Sequence, residues 1–407
     1  MRVLYITASC LTRNTSANIS HNAFVKGLLE NRCSVDILMA KDSWGAKDSA
    51  LPIWKGAAYH AYDSLSFPDR LRLALRGTAP ANTGSQNNAS PSAASSKKPP
   101  FSIRSAGKRL FYLVFPADPL YPLEKTWLKE AIRFSSNEVY DLVFSNSSPS
   151  ASHKLARELI RKGRIQCKRW VQVWEDPWYG DLYSSRSSLV RQEEHELLQA
   201  ASEIYYVSPL TLDYQKQLFS DCADKMKYVP LPCLPELSGA SRESVSASFS
   251  CGYFGDYYSK TRNLLPFYEA VRNAGIRTCI CGDSDLGLTS TDNVSVSGRV
   301  TLDVLANYQN DTEILVHLCN LKGGQIPGKV YHYSATTKPI LFILDGTPEE
   351  QLRIRSFFEP FDRYVFSAND RSSILEALQR IHEEKRTYRS VEAFMPQNVV
   401  HTILNQK

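Results

Sequence analysis

The stretch from Lys322 to Leu344 sets the tightest limits on what this chain can fold into. It begins as a loop rich in glycine and proline, KGGQIPG, continues as a short helical pattern, and turns at Lys338-Pro339 into the apolar run ILFIL. An apolar run of this length between turn signals is typical of a strand that is buried on both faces. Loop, helix, turn and buried strand in succession predict an α/β protein with a parallel sheet.

The same pattern recurs from the N-terminus onward. Strand-like runs at 2–7 and 34–40 are separated by a polar loop at 8–20 and a helical pattern at 21–29. In doubly wound sheets, ligands gather at the carboxyl ends of the strands, so the loop at 8–20 is expected to face a cleft. This loop contains no G-x-G-x-x-G motif, which argues against a nicotinamide dinucleotide site of the usual kind.

The length of the chain and its proline-rich stretches predict two domains. At 407 residues the chain is too long for a single core. The cluster of prolines at 230–235, followed by a serine-rich stretch, indicates the linker. We therefore predict an N-terminal domain at 1–232 and a second domain at 233–389. A polar, low-complexity insertion at about 79–100 is expected to be disordered, because it cannot bury enough apolar surface.

Charge and cysteine usage narrow the classes of function. The net charge of +6 favours an anionic ligand or a membrane surface, and it is far below the dense basic stripe of a nucleic-acid-binding protein. The nine cysteines form no C-x-x-C pair, so we expect buried thiols in a reducing cytoplasm and no zinc site. The N-terminus reads as a strand, and no apolar run reaches the roughly 18 residues that span a bilayer.

The glycine-rich loop before the run ILFIL is a candidate phosphate site. Gly323 and Gly324 would let the backbone approach a ligand closely. A helix that begins near Pro327-Gly328 would present free N–H groups and the positive end of its dipole, and Lys329 would add a mobile charge. An ordinary helix start after a loop accounts for the same residues equally well, so the residues alone leave both interpretations open.

Two further groups of charged residues are expected to line a ligand-binding cleft. Arg262 lies at the start of a helix, where a fixed cation can stabilise a leaving diphosphate; a surface salt bridge is the alternative. Glu175 and Asp176 follow the strand-like run WVQVW, so both carboxylates are expected at the carboxyl end of a strand, on the cleft side. Helix capping by Asp176 ahead of Pro177 is the alternative.

Several segments resemble the retaining GT-B glycosyltransferases of the family-4 type. GKVYHYSATTKPILFI, from Gly328, is similar to P-x-K-[LVI]-[FY]-E-Y-x-A-x-x-K-P-[IV]. SSPSASHKLA and VWEDPW are similar to S-x-P-x-S-x-H-x-x-A and F-R-D-P-W. The resemblance covers roughly residues 1–60 and 115–385. It departs at His332, where the family carries Glu, and at Glu175, where the family carries Arg.

The resemblance implies an α/β protein of GT-B architecture, with two Rossmann-like doubly wound domains facing each other across a cleft. The segment 390–407 would return to the first domain. The implied function is that of an enzyme, a retaining glycosyltransferase that moves a sugar from a nucleotide-diphosphate sugar to a saccharide or lipid-linked acceptor in cell-surface polysaccharide biosynthesis. No cofactor or metal is implied, and a turn is the favoured role for Asp283-Ser284-Asp285, which has D-x-D spacing.

The resemblance also implies site residues. The implied catalytic residues are Arg262 and Lys329, which would hold the leaving diphosphate, and Asp176, which would lie on the acceptor side with His153 as a further candidate. The implied contacts with the nucleotide sugar are Gly255, Lys260, Gly323, Gly324, Gln325, Ile326, Pro327, Gly328, Tyr331 and His332.

Two other functions stay open at this stage. A non-catalytic GT-B protein that binds a partner or a nucleotide is suggested by His332 in place of Glu, because imidazole cannot make the bidentate hydrogen bonds of a carboxylate. A sugar-nucleotide epimerase shares the fold, but the sequence shows no convincing set of acidic catalytic residues. Basic and aromatic residues flanking 79–100 suggest peripheral contact with the anionic inner face of the plasma membrane; a solvated surface loop is the alternative.

Overall fold

The computed structural model describes residues 1–41, 47–66, 70, 120–181, 187–237, 249–322 and 324–405. The predicted insertion at 79–100 and Gly323 lie outside these ranges. Among the helices that are described, none combines the length and the apolar character needed to cross a bilayer.

The first unit is built on a seven-stranded parallel sheet. Its strands and a separate two-stranded pair are β1 (Arg2–Ile6), β2 (Ser34–Ala40), β3 (Ala57–Tyr62), β4 (Val139–Tyr140), β5 (Leu142–Ser147), β6 (Gln166–Cys167), β7 (Trp170–Trp174), β8 (Glu203–Tyr206) and β9 (Met226–Tyr228). The large sheet has the order β3-β2-β1-β5-β7-β8-β9, and β4 pairs with β6. The apolar runs form central strands because crossover helices cover both faces of a parallel sheet.

The second unit is built on a six-stranded parallel sheet. Its strands are β10 (Ser250–Phe254), β11 (Arg277–Cys281), β12 (Val294–Ser297), β13 (Ile314–Leu318), β14 (Ile340–Leu344) and β15 (Tyr364–Ala368). They have the order β12-β11-β10-β13-β14-β15. Strand β14 is the run ILFIL, and all five of its residues are buried, as its sequence predicts. The doubly wound α/β class predicted for both halves of the chain is confirmed.

Eleven α-helices lie within the described residues. They are α1 (Ser16–Glu30), α2 (Lys125–Ala131), α3 (Ala151–Arg161), α4 (Ser188–Ala200), α5 (Pro209–Leu218), α6 (Leu265–Asn273), α7 (Leu302–Asn310), α8 (Lys329–Tyr333), α9 (Pro348–Phe358), α10 (Arg371–Glu384) and α11 (Pro396–Asn405). Local chemistry fixes several of their starts: Thr347 and Glu350 form a capping box before α9, and Asp370 accepts the Ser373 N–H to cap α10.

The two units share an apolar core. One buried cluster runs from the first sheet (Val3, Phe144) through α8 to β14 of the second sheet (Phe342) and includes α11. Helix α11 packs on α1 at Gly27, where an added Cβ would lie 2.2 Å from the carbonyl oxygen of Pro396. The division of the chain into domains at 1–232 and 233–389, with 390–407 returning to the first domain, stays a prediction.

Candidate functional site

The candidate site lies between the points at which the two sheets reverse their strand order. The first sheet reverses between β1 and β5, and the second reverses between β10 and β13. In open parallel sheets, ligands bind beside such a point, outside the carboxyl ends of the strands. The loops that leave β10 and β13 carry Gly255, Asp256 and Asn320 to this edge.

Arg262 joins the two loops at the edge of the second sheet. Its Nε donates to Asn320 Oδ1 at 2.8 Å, and its Nη1 donates to the carbonyl oxygen of Asp256 at 2.9 Å. The side chain is half-buried. A guanidinium fixed in this way can bind a phosphate without first losing side-chain freedom. The structure therefore gives Arg262 a framework that suits its predicted contact with a diphosphate.

A second arginine, Arg299, lies beside Asp256, and sequence reasoning did not select it. Its Nε donates to Asp256 Oδ1 at 2.9 Å, its Nη2 pairs with the other oxygen, and its Nε lies 3.5 Å from Asp283 Oδ2. The hydrogen bond that Arg299 donates to Asp256 raises the pKa of Arg299. The available signal was its position directly after β12, at the carboxyl end of a strand.

Lys329 is the first residue of α8 and is half-buried near the same acid. Burial lowers its pKa; Cys281 and Asp256 act in the opposite direction, and Arg299 lowers it further. Because α8 has only five residues, its dipole is weaker than the sequence suggested. The charge of Lys329, more than the helix terminus, is what α8 offers to an anion.

Asp176 is a residue of the first unit that lies at the site. It lies just beyond β7, and its Oδ1 accepts a hydrogen bond from Gln325 Nε2 at 3.1 Å. Desolvation and Asp181 raise its pKa to about 6, and Arg262 of the second unit acts against this shift. The side chain remains accessible to solvent. An accessible carboxyl group with a raised pKa, facing a fixed cation across a cleft, has the character of a reactive group.

Glu175, next to Asp176, has a different environment. Desolvation raises its pKa well above the ordinary value, and the charge of Asp176 adds to this effect. Its Oε1 is buried and, among the described residues, has no hydrogen-bond partner. Both effects favour the protonated form of Glu175, so Asp176 is the more readily ionised member of the pair.

Three predicted donor contacts lie instead in the core between the units. Tyr331 is fully buried, and its hydroxyl donates to the carbonyl oxygen of Val207. Ile326 is also buried. Gly324 has a φ of +61°, and an added Cβ would lie 2.6 Å from Leu210. The prediction that these residues contact the nucleotide sugar is therefore wrong for the side chains of Tyr331 and Ile326, which are buried. At position 324 a glycine is needed because of the contact with Leu210 and the backbone conformation.

His332 is a neutral imidazole, and one of its ring nitrogens accepts a hydrogen bond from within the protein. Its Nδ1 accepts the N–H of Leu234 at 3.2 Å, so that nitrogen is not open to a ribose hydroxyl. Burial, together with Lys329, lowers the pKa of His332 to about 3. A small recess lined by Leu302, Leu305, Lys329 and His332 lies beside it. The predicted contact with the nucleoside therefore cannot be made through Nδ1.

The remaining predicted donor residues divide between the cleft and the surface. Gly255 lies at the edge of the second sheet, where its N–H donates to the carbonyl oxygen of Cys281 at 2.9 Å. Pro327 and Gly328 are half-buried just before α8, and Gly328 approaches the first unit. Lys260 is exposed, and its charge acts on Asp285, away from the contacts of Arg262.

His153 is a core residue and does not face solvent. It is fully buried, its Nδ1 lies 2.8 Å from Ser145 Oγ, and its ring packs on Trp174. Burial lowers its pKa to about 3. The structure therefore removes His153 from the acceptor candidates.

The first unit also contains a group of possible metal ligands, formed by His195, Asp221 and Cys222. His195 Nε2 lies 2.7 Å from Asp221 Oδ2, and Gln199 donates to the same oxygen. Hydrogen bonds account for this group. Asp283 and Asp285, which have D-x-D spacing, contact other loops of the second unit: Asp285 accepts two hydrogen bonds from Ser259, and Asp283 Oδ2 lies 3.5 Å from Arg299 Nε.

An open groove begins beside Asp176. It is lined by Pro177, Gly180, Leu210, Tyr214 and Gln325. Charged side chains of Asp213, Glu350 and Arg353 also line it. The groove thus combines an aromatic ring with polar groups next to the carboxylate.

Solved structures of similar architecture place this arrangement in a known fold. Sucrose-phosphate synthase from Thermosynechococcus elongatus is similar over 99% of this chain and 95% of its own, with a TM-score of 0.56 and 12% identity. HepE from Anabaena, solved with UDP and glucose, is similar over 99% and 95%, with a TM-score of 0.53 and 12% identity. The chain has the GT-B fold.

A third GT-B structure, the glycosyltransferase AviGT4 of avilamycin A biosynthesis, is similar over 100% of this chain and 96% of its own, with a TM-score of 0.52 and 10% identity. No protein-family model and no curated protein sequence matches the chain. At this identity the likeness concerns the GT-B fold alone. UDP and glucose are ligands of HepE, and their relevance to this chain is a matter of proposal.

Proposed function

We propose that this GT-B protein is a glycosyltransferase that moves a sugar, with retention, from a nucleotide-diphosphate sugar to a saccharide or lipid-linked acceptor. The observation that carries the proposal is the chain of hydrogen bonds that links Arg262 of the second unit to Asp176 of the first. Arg262 donates to Asn320, Asn320 donates to the carbonyl oxygen of Gln325, and the Gln325 side chain donates to Asp176. A cation for a leaving group and a carboxylate for an incoming hydroxyl thus meet at one cleft.

The donor side supplies charge stabilisation. As the bond between the anomeric carbon and the diphosphate oxygen breaks, negative charge develops on that oxygen. Arg262 and Lys329 are placed to stabilise it. The acceptor oxygen forms the new bond to the anomeric carbon, and its proton passes to the leaving phosphate. Retention rests on the resemblance of the segment around Lys329, and the anomeric proton signal of the product would read it directly.

The acceptor side is the groove beside Asp176. Tyr214 offers an aromatic face of the kind on which sugar rings pack, and the charged groups along the groove offer hydrogen bonds. Before the reaction, the ionised carboxylate of Asp176 would accept a hydrogen bond from the attacking hydroxyl and orient it; as the new bond forms, that proton passes to the leaving phosphate. A saccharide fits this chemistry; the further proposal of cell-surface polysaccharide biosynthesis in the cytoplasm rests on the family resemblance.

A panel of nucleotides tests the donor half of the proposal. We expect one nucleoside diphosphate among UDP, GDP, ADP and dTDP to raise the melting temperature. A ligand at 100 times its dissociation constant adds about 2.7 kcal/mol to the free energy of unfolding. The same panel of nucleotide sugars, followed by release of the free nucleoside diphosphate, then reports turnover. If no nucleotide in the panel raises the melting temperature, the proposed donor site is wrong.

A non-catalytic nucleotide-binding protein is the second candidate, and the commitment of His332 Nδ1 to Leu234 favours it. The same panel separates the two functions. A melting-temperature shift with a nucleotide, without turnover of its sugar derivatives in the presence of mixed saccharide and lipid-linked acceptors, would support this second candidate.

We also propose peripheral contact with an anionic membrane surface, based on the basic and aromatic residues that flank 79–100 in the sequence. The protein is expected to sediment with vesicles of phosphatidylglycerol at low salt and to be released at about 0.5 M salt, because such attraction is screened. Vesicles of phosphatidylcholine are the control. Equal recovery with both lipids would contradict electrostatic binding.

A further inference from the structure

Arg13 lies in the loop between β1 and α1, and its neighbours tie that loop to the second unit. Asn14 Nδ2 donates to Asp48 Oδ2 at 3.0 Å, and the same oxygen accepts the N–H of Leu302 at 3.1 Å. Leu302 is three residues beyond Arg299. The loop is therefore held against the segment that leaves β12.

A second contact follows three residues after Arg13, at Ser16. Ser16 Oγ is 3.6 Å from the position that a Cβ on Gly328 would occupy. Gly328 immediately precedes Lys329. The stretch from Arg13 to Ser16 thus faces two segments of the second unit, one carrying Arg299 and the other carrying Lys329.

Three cations from separate segments therefore lie near one another, and among the described residues only Arg299 of the three is paired with carboxylates, those of Asp256 and Asp283. Arg13 is half-buried, and in the described part of the chain no carboxylate lies within ion-pair distance of Arg13 or Lys329. Burial lowers the pKa of Arg13, and the like charge of Arg299 lowers it further. Asp256 pairs with Nε and Nη2 of Arg299, which leaves Nη1 available. Cations brought together in this way are stabilised by an anion that they share.

We propose that Arg13, Arg299 and Lys329 form a phosphate-binding site to which both units contribute. This inference rests on the proposed function and deepens it. The ligand is a phosphate group, from either the donor diphosphate or a phosphorylated acceptor. Because Arg13 belongs to the first unit, the complete set of cations exists only when the β1–α1 loop is docked on the second unit. Phosphate binding would therefore stabilise the closed cleft.

Inorganic pyrophosphate and glucose 6-phosphate are the probes, since neither depends on the identity of the base. Their affinities would be measured by calorimetry at low salt for the full chain and for Arg13→Ala, Arg13→Lys and Arg262→Ala. Arg133→Ala, an exposed arginine on the first unit, is the matched control. Loss of a charged hydrogen bond to phosphate should weaken binding roughly 10-fold to 100-fold, and Arg13→Lys should recover part of it.

The outcomes separate the two sources and the two proposals. Weaker pyrophosphate binding by Arg13→Ala assigns the site to the donor diphosphate; weaker glucose 6-phosphate binding alone assigns it to a phosphorylated acceptor. Wild-type affinity of Arg13→Ala for both probes overturns the site, even if Arg262→Ala and the nucleotide panel uphold the proposed function. Loss of glucose 6-phosphate binding in Arg13→Ala, in a protein that no nucleotide stabilises, upholds the site and removes the donor function. The melting temperature of unliganded Arg13→Ala should not fall, because the change relieves repulsion.

Discussion

Replacing Arg262 with alanine is expected to lower kcat/KM for the nucleotide sugar by roughly 100-fold to 1,000-fold. A preorganised donor aimed at developing negative charge contributes on this scale. Arg262 is preorganised by Asn320 and by the carbonyl oxygen of Asp256. Most of the loss should fall on kcat, because the charge on the bridging oxygen grows only as the bond breaks. Steady-state release of the nucleoside diphosphate gives both constants.

Arg380→Ala is the control for Arg262→Ala, since Arg380 is an exposed arginine on α10 of the same unit. Its kinetic constants should match the wild type. Arg262→Lys keeps the charge but loses the planar donor that Asn320 and Asp256 hold, so it should recover only part of the rate. A wild-type kcat in Arg262→Ala would show that this arginine does not act on the leaving group.

Asp176→Asn is expected to lower kcat by roughly 100-fold or more, because an amide cannot accept the hydroxyl hydrogen bond as a carboxylate does. In the wild type, kcat/KM should rise with pH and level off above about 6, where Asp176 becomes ionised. The rise should be absent from the residual activity of Asp176→Asn. Rates between pH 5 and 8 measure both effects.

Asp176→Asn is also expected to stabilise the folded protein at neutral pH, although it lowers the activity. The pKa of Asp176 is raised on folding from 3.8 to about 6, so the ionised carboxylate disfavours the folded state above about pH 6, and this effect vanishes below pH 3.8. Asp176→Asn should therefore raise the melting temperature at pH 7 and leave it unchanged near pH 3.5. As a control, Asp181→Asn should move the rise in activity to lower pH, since Asp181 contributes to the shift. An unchanged profile in Asp181→Asn would contradict this origin of the pKa.

The fold was largely predictable because buried apolar residues recur in the sequence with the period of a strand or a helix. The run ILFIL is a strand with every residue buried, and the alternation of strands and helices predicts both sheets. Of the predicted site residues, the structure brings to the cleft those whose chemistry and position coincide, such as Arg262 and Asp176, and their roles stay predictions. Cations in loops, such as Arg13 and Arg299, leave no periodic signal, because their partners come from distant parts of the chain.

Tyr331 shows why the donor segment could be misread. A helix of five residues has too few positions for the sequence to reveal which side meets the cleft and which meets the other unit. Tyr331 lies on the side that packs on Phe394 and the first unit. A motif fixes the course of the backbone in such a segment, but the neighbouring elements decide which of its side chains a ligand can touch.

The two crossings of the chain between the units lie side by side. The segment after β9 and the segment before α11 are joined where the N–H of Cys233 donates to the carbonyl oxygen of Phe394 at 2.9 Å. A paired connection of this kind acts as a double hinge: it can bend, but a twist of one unit against the other would break the bond and strain both segments. A bending motion about these paired segments would therefore open the cleft while keeping Arg262 and Asp176 in line across it.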